Sequence, residues 1–274
     1  KSVSIHNERT AEIKTIRVGP WMRGRVILFD LGFYMFQLFA RIQKNGGFFV
    51  SRMKSNSNPR FIRSLKVHRG RAIDLAGVCW NDIKDRLERE VLDADVEVTF
   101  KRRSYNGKRS PDSMVLRLVA IWDNEHDEYH VYLTNIPPDV LSAEDVAALY
   151  RVRWEVELVF KELKSQYALD KVRTTNPSIV LGLIWTAILT LIVSRRLHNL
   201  LLRSVPREMK PRYTPLRWSI IFMELGERLR DAMKKHILAE EGSIEAFTQL
   251  AALYEWQARD THVKRHRLRD GWYS

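Results

Sequence analysis

Residues 149–166, with the sequence LYRVRWEVELVFKELKSQ, place a glutamate between basic side chains at helical spacing. Each residue of an α-helix turns the chain by about 100°, so residues three or four apart share one face. One polar stripe of this predicted helix comprises Tyr150, Arg153, Glu157, Lys161 and Lys164. A glutamate with an arginine one turn before it and a lysine one turn after it stays ionised. The question is whether this side of the helix is only a solvated amphipathic surface or does chemistry.

An adjoining apolar stripe is predicted to face the core of the protein. Its members are Leu149, Val152, Val156, Phe160 and Leu163. The polar stripe would then lie at the edge of the buried surface. The simpler interpretation is a solvated face with ion pairs such as Glu157–Lys161, which are common and contribute little to stability. That interpretation does not explain why a tyrosine, an arginine and a second lysine share the stripe.

A second candidate acid, Asp30, follows a predicted strand near the start of the chain. The segment Gly24–Tyr34 holds a continuous apolar run that ends at this aspartate and a glycine, which is typical of a strand buried on both faces. Residues 35–47 predict a helix that stops at glycine, and residues 48–54 predict the next strand. Strand, helix and strand in this order indicate an α/β fold.

The middle of the chain predicts strands and the remainder predicts helices. From about Ser64, apolar and polar residues alternate between turn signals at Tyr105–Lys108 and Trp122–Tyr129, which favours a β-rich region of roughly 70 residues. Ser142 is the predicted N-cap of the helix that follows, with Asp145 three residues on. The chain after Pro177 is predicted to be helical.

One helical segment, Ile179–Val193, carries no charge over 15 residues. A helix that crosses a bilayer needs about 20 apolar residues. We therefore expect a buried core helix here and no membrane association. The alternative is a membrane-associated protein built around this segment, which would be extracted only with detergent.

The composition favours a polyanionic partner. Lysine and arginine total 46 against 33 aspartate and glutamate, a formal net charge of +13. Basic groups placed against phosphates release counterions and so favour nucleic acid binding. The single cysteine, Cys79, excludes an intramolecular disulfide framework and a cysteine-rich zinc site. The eight histidines show no ligand spacing, so no histidine metal site is predicted.

The helix at residues 149–166 carries a family resemblance. Tyr150, Arg153, Glu157 and Lys164, with two, three and six residues between them, resemble without a gap the Y-R-E-K signature of bacterial insertion-sequence transposases of the DDE type, the group usually numbered family four. The stretches ILFDLGFY, GGFFVSRMKSN and YLTNIP also resemble that family. The resemblance covers most of residues 1 to 200.

The resemblance implies an α/β fold: an RNase H-like core interrupted by a β-rich insertion domain and followed by C-terminal helices. The implied domains are residues 1–62 (first part of the core, with its earliest strands missing), 63–136 (insertion domain), 137–203 (second part of the core, with the helix of the catalytic glutamate) and 204–274 (helical region with a basic tail).

The resemblance also implies a function, that of a metal-dependent DNA transposase. Asp30 and Glu157 would be catalytic and would bind two Mg²⁺ or Mn²⁺ ions about 4 Å apart. Tyr150, Arg153, Lys161 and Lys164 would contact DNA. The implied partners are double-stranded DNA (terminal inverted repeats and target) and a second copy of the chain on paired ends. The implied location is cytoplasmic and nucleoid-associated.

The family's first catalytic Asp has no counterpart before Asp30. Glu8 and Glu12 lie in a segment that is typical of a strand end or a helix rather than of the centre of a buried strand, so neither is predicted to replace that Asp. We therefore expect a chain that is truncated at its N-terminus and catalytically incomplete. A weaker assignment makes Asp30 the first acid and Asp123 the second, although Asp123 lies in a predicted turn. A catalytically inactive DNA-binding remnant with the same fold is the alternative function.

Further predictions concern other basic and aromatic residues. The segment Lys101–Arg109 is either a DNA-contacting loop or a solvated turn. Trp80 and Trp122 are expected to pack in the core rather than to stack on a displaced base. The C-terminal VKRHRLR, which includes His262 and His266, is either a nonspecific DNA contact or a solvated tail.

Overall fold

The computed structural model describes residues 15–65, 73–102 and 110–259. The predicted turn at Tyr105–Lys108, Glu8, Glu12 and the basic C-terminal tail lie outside these residues. The chain divides into two compact units, and the boundary between them falls after Glu157.

The first unit is built on one mixed sheet of six strands. The strands are β1 (Val26–Phe29), β2 (Phe48–Arg52), β3 (Arg60–Ser64), β4 (Val91–Lys101), β5 (Pro111–Asp123) and β6 (Glu128–Thr134), in the order β1-β2-β6-β5-β4-β3. Among the described strands only β1 and β2 pair in parallel, and the crossover helix α1 (Phe36–Lys44) connects them. The other helices of this unit are the short α2 (Trp80–Ile83), α3 (Ala143–Arg151) and the first turn of α4 (Arg153–Ser165). The predicted α/β class is confirmed.

Alternation along the strands gives the sheet two buried faces. On one face, Leu92, Leu116 and Phe49 join a core that includes α1. On the other face, Val50 and Val119 pack against α3. Because successive strand residues point to opposite faces, each buried strand has apolar residues on both sides.

The first predicted strand packs on both faces, but it is an edge strand and its first residue is exposed. β1 lies at one edge of the described sheet, and Val26 is exposed. Phe29 and Ile27 do face the large core, and Leu28 packs on the α3 face. Only one edge of β1 has a neighbouring strand among the described residues. Its other edge is not covered by a paired strand, as it would be in a central strand.

The second unit is helical, as predicted for the C-terminal region. After the remainder of α4 it contains α5 (Pro177–Ser204), α6 (Pro215–Glu224), α7 (Gly226–Ile237) and α8 (Ser243–Ala258). Leu163 of α4 packs against Ala187 and Leu191 of α5. A second cluster gathers α6, α7 and α8 around Trp218. Asn176 and Thr214 cap α5 and α6 by accepting backbone N–H groups.

The prediction that Ile179–Val193 is a buried core helix is wrong for most of its surface. α5 has 28 residues, and in its most apolar window only 17% of the residues are buried. Leu189, Ile192 and Val193 are exposed, whereas Ala187 and Leu191 are buried. Packing therefore uses one narrow side of the helix. α5 is long and apolar enough to cross a membrane by length and composition, which is weak evidence, because core helices of soluble proteins pass the same test.

His198 in α5 is a buried neutral histidine. Its side chain stacks on Trp218, and its Nε2 lies 3.0 Å from the carbonyl oxygen of Tyr213. Burial, and to a smaller degree the charge of Arg195, lowers the pKa of His198 to about 4. A histidine with a depressed folded-state pKa is protonated first in the unfolded chain, so acid favours unfolding.

We expect this histidine to destabilise the second unit in mild acid. The stabilisation is complete above the ordinary histidine pKa of 6.5 and is lost as the pH falls towards about 4. The free energy of unfolding should decrease by up to about 3 kcal/mol over this interval, relative to a His198→Gln variant. Urea unfolding followed by circular dichroism at several pH values measures the difference. Parallel pH profiles for the two chains would contradict the prediction.

Candidate active site

The predicted helix at residues 149–166 is two helices. α3 ends at Arg151 and α4 begins at Arg153, with Val152 in the turn between them. The predicted apolar stripe therefore does not run through: Val152, Val156 and Phe160 are exposed, and only Leu163 is fully buried. The sheet sets the buried face of α3, which runs through Val146, Ala147 and Tyr150. This buried face does not extend to Val152 and Val156, which are exposed.

A cap at its start and a ring contact at its end define where α3 lies on the sheet. The hydroxyl of Ser142 accepts a hydrogen bond from the backbone N–H of Asp145 at 3.1 Å, which confirms the predicted N-cap. Tyr150 is buried, and its ring contacts that of Tyr132 on β6 at 5.2 Å. The C-terminal end of α3 is thereby fixed over the sheet, and Arg153 follows two residues after it.

Asp30 reaches the same region because of strand alternation. It follows β1 and begins a 3₁₀ turn, Leu31–Phe33. Leu28, two residues earlier, packs on the α3 face of the sheet, and residues two apart along a strand point to the same face. Asp30 is therefore directed to the side where α3 ends, and its side chain is about half exposed (53%).

Arg153 joins the two predicted acids. Its Nη1 donates a hydrogen bond to Oε1 of Glu157 at 2.6 Å and lies 3.6 Å from Oδ1 of Asp30. The two carboxylate oxygens can thus be no farther apart than the sum of these two distances. Asp30 and Glu157 are distant in sequence, yet their carboxylates converge on a single nitrogen of Arg153.

The surroundings of Arg153 favour its charged form. Partial burial by itself lowers the pKa of Arg153, but the hydrogen bond to Glu157 and the nearby side chains of Tyr150, Glu157 and Asp30 raise it above the ordinary value. The guanidinium lies 5.5 Å from the centre of the Tyr150 ring, in cation–π contact. Burial raises the pKa of Tyr150, although Arg153 opposes this shift. The tyrosine remains neutral and supports the arginine.

We expect Arg153→Ala to strengthen metal binding to the DNA-free chain. The arginine holds a positive charge against both carboxylates, and a cation must compete with it. Removing that charge from partly exposed carboxylates should tighten Mn²⁺ binding about tenfold. Electron paramagnetic resonance measures free Mn²⁺ and hence the amount that is bound. Binding at this site is the part of the bound Mn²⁺ that is lost in Asp30→Asn. Arg151→Ala, an equal loss of charge on an exposed neighbour, is the control. Unchanged or weaker binding in Arg153→Ala would contradict the prediction.

Lys161 and Lys164 lie one and two turns after Glu157 on α4, in the part that belongs to the second unit, and both are exposed. The structure therefore leaves their side chains accessible. Whether they contact DNA remains a prediction, as it does for Tyr150 and Arg153.

The sequence did not indicate a buried ion pair beneath α3. Arg117 on β5 donates to both carboxylate oxygens of Asp93 on β4, at 2.8 and 2.7 Å. Its Nη1 also donates to the carbonyl oxygens of Ile136 and Leu141, at 3.2 and 2.7 Å. Both charged residues are almost fully buried. The arginine thus anchors the segment that leads from β6 into α3, and through α3 it positions Arg153.

The tryptophan predictions differ in outcome. Trp80 is buried in the large core and contacts Tyr129 edge to face, so the predicted packing role is confirmed. Trp122 also contacts Tyr129, with the ring centres 4.8 Å apart, but it is only half-buried. The predicted core packing of Trp122 is therefore confirmed only in part.

Two histidines gather with an acid in the structure, although the histidines show no ligand spacing in the sequence. Asp123, His126 and His130 gather at the β5–β6 turn, with one ligand atom from each within 4.8 Å of the others. Asp123 thus lies in a turn, as predicted. The signal that could have revealed the cluster is the turn itself, because it folds His130 back beside Asp123.

The mixed six-stranded sheet followed by helices fits a transposase domain of the DDE type. A family model described as "Transposase DDE domain" matches residues 2–193, and the chain belongs to this family. The predicted resemblance to insertion-sequence DDE transposases is confirmed. Its assignment to the Y-R-E-K group remains a prediction.

The relatives are transposases of insertion sequences. Over 73 residues the chain is 46% identical to the putative transposase InsL of IS186A from Escherichia coli (strain K12), covering 27% of this chain and 20% of InsL. It is 21% identical over 192 residues to the transposase of IS1151 from Clostridium perfringens, covering 61% of this chain and 40% of that protein. It is 23% identical over 180 residues to the transposase of IS231F from Bacillus thuringiensis subsp. israelensis, covering 56% and 37%. The matches therefore span between 20% and 40% of these relatives.

Proposed function

We propose that the chain is the catalytic part of a DNA transposase that cleaves DNA strands and transfers them in a metal-dependent reaction. The observation that carries the proposal is the convergence of Asp30 and Glu157 on Nη1 of Arg153, at 3.6 and 2.6 Å. Family membership and the printed names of the relatives support the same reaction.

The residues present fit divalent metal ions. Asp30 and Glu157 offer oxygen ligands, half exposed and close together, and hard cations such as Mg²⁺ or Mn²⁺ prefer such ligands. When bound, two such ions would supply charge neutralisation and activation of the attacking group. Asp30 and Glu157 would hold them, and Arg153, now paired with both acids, would be released to bind another anion.

Phosphate is the anion that Arg153 is suited to bind. Its Nε is buried and has no hydrogen-bond partner in the part of the chain that the structure describes. Once the side chain has turned away from the acids and exposed its Nε, a pair of phosphate oxygens would accept from Nε and one Nη in the bidentate geometry that arginine favours. Lys161 and Lys164 would add point charges along the DNA backbone, and the net charge of +13 supports binding to a long polyanion.

We further propose the finer organisation that the resemblance implies. It comprises an RNase H-like core at residues 1–62 and 137–203 with a β-rich insertion at 63–136, cytoplasmic and nucleoid-associated action, and a homodimer that holds two DNA ends. The family match spans residues 2–193, which includes nearly all of the first core segment, the insertion and most of the second core segment, and so supports placing them in one transposase domain.

The test is DNA cleavage by the product of the longest reading frame that contains this chain. The substrate is a duplex that carries the terminal repeats flanking that reading frame. We expect cutting at the repeat ends with Mg²⁺ or Mn²⁺ and none with EDTA. Cutting that persists in EDTA would refute the metal-dependent reaction. Tight binding of the repeats without cutting in either metal would favour the DNA-binding remnant instead.

A further inference from the structure

The β5–β6 hairpin carries a second group of metal-ligating side chains, separate from Asp30 and Glu157. Nδ1 of His126 and Nε2 of His130 each lie 2.8 Å from Oδ2 of Asp123. Two imidazoles therefore share one carboxylate oxygen, and all three ligand atoms lie within 4.8 Å of one another. We propose that Asp123, His126 and His130 form a binding site for a divalent transition metal ion such as Zn²⁺.

Strand register explains why the three side chains meet. His130 pairs with Ile121 across the two strands, and Asp123 pairs with Glu128. Asp123 lies two residues after Ile121, so it faces the same side of the sheet as His130 and is its diagonal neighbour. His126 comes from the turn itself, where Asp127 adopts a φ of 55°. The hairpin thus delivers ligands from both strands and from the loop.

Asp123 is fixed by the backbone of the same turn. Its Oδ1 accepts a hydrogen bond from the N–H of Glu125 at 2.9 Å, and its carbonyl oxygen accepts one from the N–H of Asp127 at 2.9 Å. Only Oδ2 is directed at the imidazoles. One carboxylate oxygen is therefore committed to the turn, and the other is available as a ligand without any change of rotamer.

The spacing suits a tetrahedral ion. With metal–nitrogen and metal–oxygen distances of about 2.0–2.2 Å, tetrahedral ligand atoms lie roughly 3.4 Å apart. Each nitrogen would move outwards from Asp123 by only about half an ångström to admit the ion. Two nitrogens and one oxygen favour Zn²⁺, Co²⁺ or Ni²⁺ over Mg²⁺, which prefers oxygen ligands.

The exposure of the three side chains and the charges behind them suit an ion that has three protein ligands and a fourth position open to solvent. His126 is 67% exposed, whereas Asp123 and His130 are 22% and 29% exposed. Solvent or an added ligand can therefore reach a fourth position beside His126. Nδ1 of His130 lies 3.9 Å from Oε1 of Glu128, which is itself paired with Arg52 at 3.1 Å. At 3.9 Å this carboxylate does not accept a hydrogen bond from the ring, but it places a negative charge behind the nitrogen that would not bind the ion.

Metal titration of the purified chain tests the proposal. Co²⁺ added to the chain should give visible absorption typical of tetrahedral coordination, and Zn²⁺ should remove it with a stoichiometry of one ion per chain. His130→Asn and the exposed His126→Asn should each weaken Zn²⁺ binding at least about tenfold, because each removes one of three ligands. Excess Mg²⁺ should not compete.

Three controls make the outcome specific. His236→Asn, at a histidine outside the hairpin, should leave Zn²⁺ affinity unchanged, and so should the double variant His262→Asn/His266→Asn. Asp30→Asn with Glu157→Gln should also leave it unchanged, so failure of this proposal and failure of the proposed function are separable. Equal affinity in the wild-type chain and in both hairpin histidine variants would overturn the proposal, as would loss of binding only in the tail variant. Circular dichroism of His126→Asn confirms that a loss of affinity is not a loss of fold.

Discussion

Glu157→Gln and Asp30→Asn are each expected to reduce DNA cleavage by at least about 1,000-fold, which corresponds to roughly 4 kcal/mol in the activation barrier. Both substitutions keep the size of the side chain and remove the negative charge. A neutral amide is a poor ligand for a hard divalent cation, so the site would lose one of its oxygen ligands. The loss should appear in strand cleavage and strand transfer alike, measured on end-labelled terminal-repeat duplexes at saturating Mg²⁺.

Glu155→Gln is the matched control. Glu155 lies on the same helix, two residues before Glu157, and is exposed. Two residues along a helix correspond to about 200°, so its side chain points away from the Asp30–Arg153 contact. Its substitution should leave cleavage unchanged. If Glu157→Gln cleaved DNA at the wild-type rate, Glu157 would not be a catalytic residue.

The largest effect on stability is expected for Arg117→Leu. This substitution leaves the carboxylate of Asp93 buried without a partner and frees two carbonyl oxygens that arginine now satisfies. Breaking a buried ion pair by removing one member costs about 3–5 kcal/mol. Urea unfolding of the full chain should show this decrease in the transition of the first unit. Arg63→Leu, at an arginine whose side chain is 71% exposed in its pair with Asp95, should cost less than about 1 kcal/mol.

The double variant Arg117→Leu/Asp93→Leu distinguishes an unpaired charge from a lost anchor. Replacement of both members of a buried pair by apolar residues can recover much of the stability. The carbonyl oxygens of Ile136 and Leu141 would still lack their donor, so we expect partial recovery only. A cost for Arg117→Leu no larger than that of Arg63→Leu would contradict the anchoring role.

Local signals in the sequence predicted the elements well. The N-cap at Ser142, the turn after Asp123 and the strand–helix–strand order at residues 26–52 all follow from residue types within a few positions. Those are short-range preferences of the backbone, which tertiary contacts did not override here.

Long-range pairing was harder to predict. The break at Val152 is not visible in the sequence, because apolar residues continue at helical spacing through it and only packing of α3 on the sheet reveals where the buried face ends. The Asp93–Arg117 pair depends on the β4–β5 register, in which Arg117 lies opposite Asp95 and diagonal to Asp93. Alternation gives the face of a strand residue but not its partner.

The candidate active site could be predicted from the sequence only in part. Spacing and resemblance singled out Asp30, Arg153 and Glu157 before any coordinates, and the structure brings all three together. The sequence did not show that Arg153 would pair with both acids or that Tyr150 would be buried beneath it. The cluster at Asp123 was missed, because it requires the fold of a hairpin that brings together residues from two strands and a loop.

Asp30 and Glu157 are proposed to be ligands of one shared site for divalent metal ions. Fe²⁺ can replace Mg²⁺ at oxygen-rich sites, and with ascorbate and peroxide it cuts the polypeptide close to where it is bound. In a His126→Asn/His130→Asn background, which disables the hairpin cluster, we expect cuts near residue 30 and near residue 157 at the same Fe²⁺ concentration, both suppressed by excess Mg²⁺ and both lost in Glu157→Gln. Cuts at one position without the other, or cuts that survive Glu157→Gln, would show that the two acids do not share a metal site.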